Sequence, residues 1–273
     1  VNNREVKRRI SSVKETVKIY RAMYSISVAR MIKCRAALPI AERFYHTSGD
    51  LLSRLTDRPM DFFRERGHRT AFIVIGGDKG LCGDYNEKIA LYAASLLRAA
   101  EEKYLFTVGS VTRDMISKYG FAPDVEFLHS ADNPSPEAAF SMAADLMNLY
   151  EEGMLDEVRL VYCDVVDNRP VPVSDRILPF LGTSEALRDE TEPLRETPTE
   201  GAVRRSLYTY LASALYRALI LASLAEHLSR VRAMPQATEN AEKMIADLTA
   251  KYNKIRQESI TRALQDVGSF TDE

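Results

Sequence analysis

A glycine-rich turn, Gly76-Gly77-Asp78-Lys79-Gly80-Leu81-Cys82-Gly83, is the stretch of this sequence best suited to chemistry. It follows the apolar run 71–75, which reads as a buried strand, and precedes a segment with helical spacing. In an α/β fold such a turn is where backbone N–H groups cradle phosphate. The spacing matches neither GxxxxGK[ST] nor GxGxxG, and four glycines equally serve a tight turn that needs positive φ. Both readings stand at this point. The other reactive residue types are scattered. His46, His68, His129 and His227 lack a ligand spacing such as HExxH. Serine and cysteine occur outside any nucleophile elbow. Cys34, Cys82 and Cys163 form no CxxC pair and read as free thiols in a reducing compartment. Paired carboxylates such as Asp189-Glu190 fall in an acidic, proline-bearing stretch, 183–200, that reads as a solvated loop. No catalytic residue, cofactor site or metal site is expected on this chain.

Composition narrows the class further. The 273 residues carry 37 Lys+Arg against 39 Asp+Glu, a net charge of −2, which argues against a general nucleic-acid binder. Hydrophobic residues make up 45 %, enough for a packed core. The longest apolar run, 218–225, falls short of the roughly 18 residues of a membrane span. The opening residues run straight into charge without the apolar region of a signal peptide.

The elements that would position the turn alternate strand and helix. Strands are expected at 71–75, 104–108, 125–128, 158–166 and 170–179, the last two as a hairpin around Asp167-Asn168. Helices are expected at 87–103, 111–119 and 136–150, the third opened by Pro136 in the first turn. This βαβαβα order predicts a mainly parallel sheet covered by helices.

The two ends have a different period. Val6, Ile10, Val13, Val17, Tyr20, Tyr24, Ser27, Met31, Cys34 and Leu38 step four, three, four, three throughout, the seam of a coiled coil with basic flanks. Pro39 is expected to stop or kink this helix. Toward the C-terminus no glycine occurs from 202 to 267. Leu224, Leu228 and Val231, then Ala241, Ile245, Leu248, Tyr252 and Ile255, repeat the steps, and Ile260, Leu264 and Val267 resume after a shift. Some 65 helical residues would reach roughly 100 Å. Pro235, inside this stretch, is expected to mark a kink or a boundary, since proline in a helix interior costs ~3 kcal/mol. The two seams can be met by homodimers of each helix, or by the two ends of one chain pairing antiparallel with the middle folded as a separate body. The second suits a middle that reads as globular.

Three segments resemble the gamma subunit of F-type ATP synthases, the central rotor shaft. Residues 8–23, RRISSVKETVKIYRAM, resemble the family's R-R-I-x-S-V-x-N-T-x-K-I-T-K-A-M. Asp78-Lys79-Gly80-Leu81-Cys82-Gly83-Asp84-Tyr85-Asn86 is similar to D-[RK]-G-L-C-G-x-x-N. Ser223-Leu224-Ala225-Glu226-His227, with Ala233-Met234, Ala237-Thr238, Asn240-Ala241 and residues 252–261, YNKIRQESIT, is close to the family's C-terminal signature. Order and spacing fit across nearly the whole chain.

The resemblance implies an antiparallel coiled coil of the terminal helices, 1–58 and 202–273, with a Rossmann-like α/β domain at 70–182. It implies a rotor subunit that couples ion-driven rotation of a membrane c-ring to ATP synthesis or hydrolysis in an alpha/beta hexamer, non-catalytic itself. The implied partners are the alpha, beta and epsilon subunits and the c-ring, with ATP, ADP and Mg bound by alpha and beta and no nucleic acid. Contact with the membrane would come through the complex only, on the cytoplasmic face of a bacterial plasma membrane or the matrix or stroma side of an organelle. Carried over by position, Lys18, Arg21, Met23, Arg230, Arg256, Gln257 and Thr261 match residues that touch the alpha and beta subunits in the family. Asp78, Lys79, Gly80, Leu81, Cys82, Gly83 and Asn86 form its motif turn. The sequence departs from the family at 24–28, by about one missing turn before Pro39, at Pro235 and in the acidic tail 269–273. A divergent coiled-coil scaffold, a paralogous rotor of a sodium-translocating ATPase and a nucleotide-binding α/β enzyme remain the alternatives.

Overall fold

The computed structural model describes residues 3–55, 63, 65, 67–128, 131–180, 182 and 199–269, with side chains through Thr261. The elements run α1 (Asn3–Ser53), β1 (Arg69–Ile75), α2 (Tyr85–Ala99), β2 (Glu102–Val108), α3 (Ser110–Lys118), β3 (Val125–Glu126), α4 (Pro136–Glu151), β4 (Glu157–Val166), β5 (Arg169–Leu178) and α5 (Glu200–Ser269). The chain forms two compact units. One is Val1–Ser27 with Arg230–Glu273, and the other is Val28–Ser229. Helices α1 and α5 contribute to both, so the division cuts across them rather than following the bounds 1–58, 70–182 and 202–273.

In the larger unit the sheet has the order β3-β2-β1-β4-β5. β1 pairs in parallel with β2 and β4, β2 with β3, and β5 returns antiparallel to β4. This is the Rossmann-like, mainly parallel sheet expected, with an antiparallel edge. The β4–β5 hairpin turns at Asp167-Asn168, both at positive φ (49° and 57°), as a tight two-residue turn requires. Strand side chains alternate faces. Ala71, Ile73, Ile75, Leu160 and Tyr162 pack against α4 and α5, while Phe72, Val74, Val161 and Cys163 pack against α2 and α3.

Two edges differ from expectation. α2 ends at Ala99, and Ala100 is already extended, so β2 takes 102–103 from the anticipated helix. β3 pairs only at Val125–Glu126, and Leu128 leaves the sheet at 92 % exposure. Of the loop expected at 183–200, residues 183–198 lie outside the described residues, and Glu200 already belongs to α5.

The helix pair is antiparallel within each unit. In the larger unit Cys34 meets Ser223 and Ser48 meets Ser213, so numbers rise on α1 as they fall on α5. In the smaller unit Arg21 pairs with Glu242 at 2.7 Å. The α1 seam does not stop at Pro39. Ala41, Tyr45, Ser48, Leu52 and Leu55 continue the same steps on the buried or half-buried side. α5 likewise runs on through Pro235, so no helix boundary falls there. Val231, Met234, Thr238 and Ala241 join the segments that the sequence left separate. Both prolines sit on the exposed side of their helices, so each removes one backbone hydrogen bond without disturbing the packed seam. Ile260, assigned to a resumed seam, is exposed, and the side chains of Leu264 and Val267 lie outside those described. α5 also contains an 18-residue window long and apolar enough to cross a membrane, more than the run 218–225 suggested. That window is 78 % buried inside the fold, as a core helix wrapped by α1 and the sheet must be.

Candidate functional site

The motif turn lies at the carboxyl end of β1, beside the switch between β1 and β4 where sheets of this order open a ligand crevice. Asn86, in the first turn of α2 and 2 % exposed, organises it. Its Oδ1 accepts from the Gly77 amide (3.1 Å) and the Thr112 hydroxyl (3.0 Å). Its Nδ2 donates to the Lys79 carbonyl and to the Cys82 sulfur, both at 3.1 Å. Asp78 accepts from the amides of Ser110 (3.2 Å) and Ala131 (3.1 Å), tying the turn to the start of α3 and to the segment before α4. The Tyr85 hydroxyl donates to the Ala222 carbonyl of α5 at 3.1 Å.

These bonds support the second reading of the glycines, close packing in a tight turn. A phosphate cradle keeps backbone donors open, but the Gly77 amide is taken by Asn86 and by Thr112 Oγ1 at 2.9 Å, and the Ser110 amide by Asp78. The glycines serve close packing. A Cβ on Gly76 would stand 2.0 Å from Thr112 Oγ1, and one on Gly77 would stand 2.6 Å from Asn86 Oδ1 and 3.2 Å from the Glu226 carboxyl carbon. The chain's own α5 therefore occupies space beside Gly77 that a ligand would need. Positive φ is required at Gly83 (61°) and is adopted by Leu81 (60°).

Next to the turn, three basic side chains meet the carboxylate of Asp132. Lys79 Nζ and Arg30 Nη1 each stand 2.8 Å from Oδ2, and His227 Nε2 stands 3.3 Å from Oδ1. Arg30 also donates to the Asp132 backbone carbonyl. The Asp132 side chain is 10 % exposed. Burial works to raise its pKa, but the Lys79 hydrogen bond and the charges of Arg30, Lys79 and His227 outweigh it and hold the carboxyl below its ordinary value. Sequence reasoning missed this node, because its members lie at 30, 79, 132 and 227 and share no spacing. A second polar joint links the hairpin to α5. Tyr162 donates to Asp175 at 2.6 Å and accepts from Arg217 at 2.9 Å, and the Arg217 guanidinium lies 5.4 Å from the Tyr45 ring.

The residues carried over as contacts divide by exposure. In the smaller unit Lys18, Arg21, Arg256, Gln257 and Thr261 face solvent and Met23 is half-buried. Lys18 pairs with Glu15 and Arg21 with Glu242. Arg230, at 2 % exposure, is the one of the seven that is buried within the chain. The three cysteines are buried and free. Among the described residues no group of three His, Cys, Asp or Glu side chains is placed to hold a metal ion.

Terminal helices that pair antiparallel, with a mainly parallel α/β body formed by the residues between them in sequence, define the class of protein. A sequence model described as ATP synthase matches residues 2–269, and the chain belongs to that family. It is 31 % identical to the ATP synthase gamma chain of Caldanaerobacter subterraneus subsp. tengcongensis and 32 % identical to that of Moorella thermoacetica, in each case over 98 % of both chains. A chain of the Euglena gracilis mitochondrial ATP synthase OSCP/F1/c-ring structure superposes with a TM-score of 0.70 at 15 % identity, over 98 % of this chain and 93 % of that one. A chain of the Tetrahymena thermophila central stalk/c-ring structure does so with 0.62 at 23 % identity, over 81 % and 99 %. These two likenesses speak for the fold.

Proposed function

We propose that this chain is the central rotor subunit of an F-type ATP synthase, coupling ion-driven rotation of a membrane c-ring to ATP synthesis or hydrolysis in a hexamer of alpha and beta subunits. Membership of the family over residues 2–269 carries the reading. The mechanism is differential contact. An asymmetric helix pair touches three otherwise equivalent catalytic subunits differently, and only such a difference in contact free energy can favour a different set of open and closed sites at each angle. The chain needs no catalytic group for this, and ATP, ADP and Mg belong to the alpha and beta subunits. Arg256, Gln257 and Thr261 on α5, with Lys18, Arg21 and Met23 on α1, are the contact candidates, all with some surface available to a partner. Arg230 would need a rearrangement to take part. The complex is peripheral to its membrane, and the chain lies on the cytoplasmic face of a bacterial plasma membrane or the equivalent side in an organelle.

The test is native mass spectrometry of the chain mixed with alpha and beta subunits of its own organism, with ATPase activity measured in parallel. One copy per three alpha and three beta subunits, with activity rising on its addition, supports the reading. Two copies bound to each other and no hexamer complex would favour the coiled-coil scaffold.

A further inference from the structure

We propose that Asp132 is a positioning residue for rotary coupling, whose carboxylate ties α1 and α5 to the motif turn and so fixes the angle at which the α/β domain is seated on its own stretch of paired helices. The inference rests on the rotor reading and adds to it a residue on the path of the torque. All the groups concerned lie in the unit Val28–Ser229.

The geometry is specific. Arg30 comes from α1, His227 from α5 and Lys79 from the turn after β1, and they converge on one carboxylate of the segment before α4. Asp132 is itself held on both sides. The Ala131 amide donates to Asp78 Oδ2 at 3.1 Å, and α4 starts four residues after Asp132 with Ser135 as its cap, accepting from the Ala138 amide at 3.2 Å. The carboxylate is therefore anchored to the α/β domain with Lys79, and its other two partners, Arg30 and His227, belong to the helices.

The rest of the contact between domain and helices is mostly apolar. α5 presents Leu207, Leu211, Leu215, Ala218 and Leu219 to the sheet face. Apolar burial is non-directional. The Lys79 hydrogen bond to this carboxylate has a preferred distance and angle, and the ion pairs to Arg30 on α1 and His227 on α5 bring both helices to the same charge, so the node resists rotation of the domain about them. Torque entering through the domain reaches the helix pair in part through this joint.

The test uses the complete ATP synthase in sealed vesicles and reads ions pumped per ATP hydrolysed. The wild-type complex must first pump, and a failure there would count against the rotor reading rather than against Asp132. With that in place, D132A is expected to keep hydrolysis while ions pumped per ATP fall severalfold, and D132E to restore most of the ratio. A core variant such as L146A controls for stability loss alone and is expected to leave the ratio unchanged. Should D132A fail to assemble, R30Q and K79Q each remove one leg, and a smaller graded drop in the ratio is expected from each. An unchanged ratio in D132A, or in both single-leg variants, would overturn the proposal, as would an equal drop in L146A.

Discussion

Replacing Asn86 by alanine tests the account of the motif turn. The wild-type amide satisfies four groups, namely the Gly77 amide, the Thr112 hydroxyl, the Lys79 carbonyl and the Cys82 sulfur. After truncation the Gly77 amide still has Thr112 Oγ1 at 2.9 Å. The Thr112 hydroxyl loses its acceptor, and the Lys79 carbonyl loses an amide donor while keeping the longer thiol contact from Cys82 at 3.7 Å. The buried Thr112 hydroxyl that loses its acceptor costs about 1–3 kcal/mol and the Lys79 carbonyl, on an exposed residue, adds little, so N86A is expected to lose about 1–3 kcal/mol. That is measurable against the ~5–15 kcal/mol that holds a typical domain together. T112V provides the contrast. It removes the hydroxyl but leaves the Gly77 amide and Asn86 Oδ1 bonded to each other, so its expected loss is about 1 kcal/mol. Urea unfolding followed by far-UV circular dichroism and tyrosine fluorescence measures both, since the chain has 13 tyrosines and no tryptophan. A loss below about 1 kcal/mol in N86A, or an equal loss in T112V, would refute the idea that Asn86 organises the turn.

Three further outcomes are expected. The carboxyl of Asp132 is held below its ordinary pKa, so its stabilisation is present above the unfolded value near pH 4 and fades as pH falls through the folded value; the urea-midpoint gap between wild type and D132N is expected to be widest near neutrality and to close in acid. Burial pushes the Cys163 thiol up to about 12 and raises Cys34 as well, so at pH 8 a soluble maleimide is expected to leave both unlabelled until urea is added; fast labelling of the native chain would contradict their burial. R256A and Q257A, on an exposed face, are each expected to leave folding unchanged and to weaken association with the hexamer by about fivefold, or about 1 kcal/mol, in a titration of ATPase activation.

The sequence revealed the sheet strands because short apolar runs were bounded by turn residues, and it revealed the helix pair because its seam kept strict heptad steps. Its limits have physical causes. A proline reads as a break whether buried or exposed, so Pro39 and Pro235, both exposed, hid the continuity of α1 and α5. Ala41, Ser48 and Thr238 belong to the seam but are too small or polar to register as a stripe. The spacing of the glycine turn left phosphate binding open, and the bonds that bear on it, from the Gly77 and Ser110 amides, form only across the fold. Asp132 gave no signal at all, because a cluster assembled from four distant positions exists only once the fold has formed.

The central claim is that this chain turns inside a hexamer and carries its α/β domain with it. Labelling the K118C variant of the chain, at an exposed position on the α/β domain, and immobilising the hexamer would let single-molecule video follow that domain during ATP hydrolysis. Because the native cysteines are buried, the label goes to the new site. The account predicts one-way rotation in thirds of a turn, paced by ATP concentration. A bound chain that stays still while the hexamer hydrolyses ATP would contradict it.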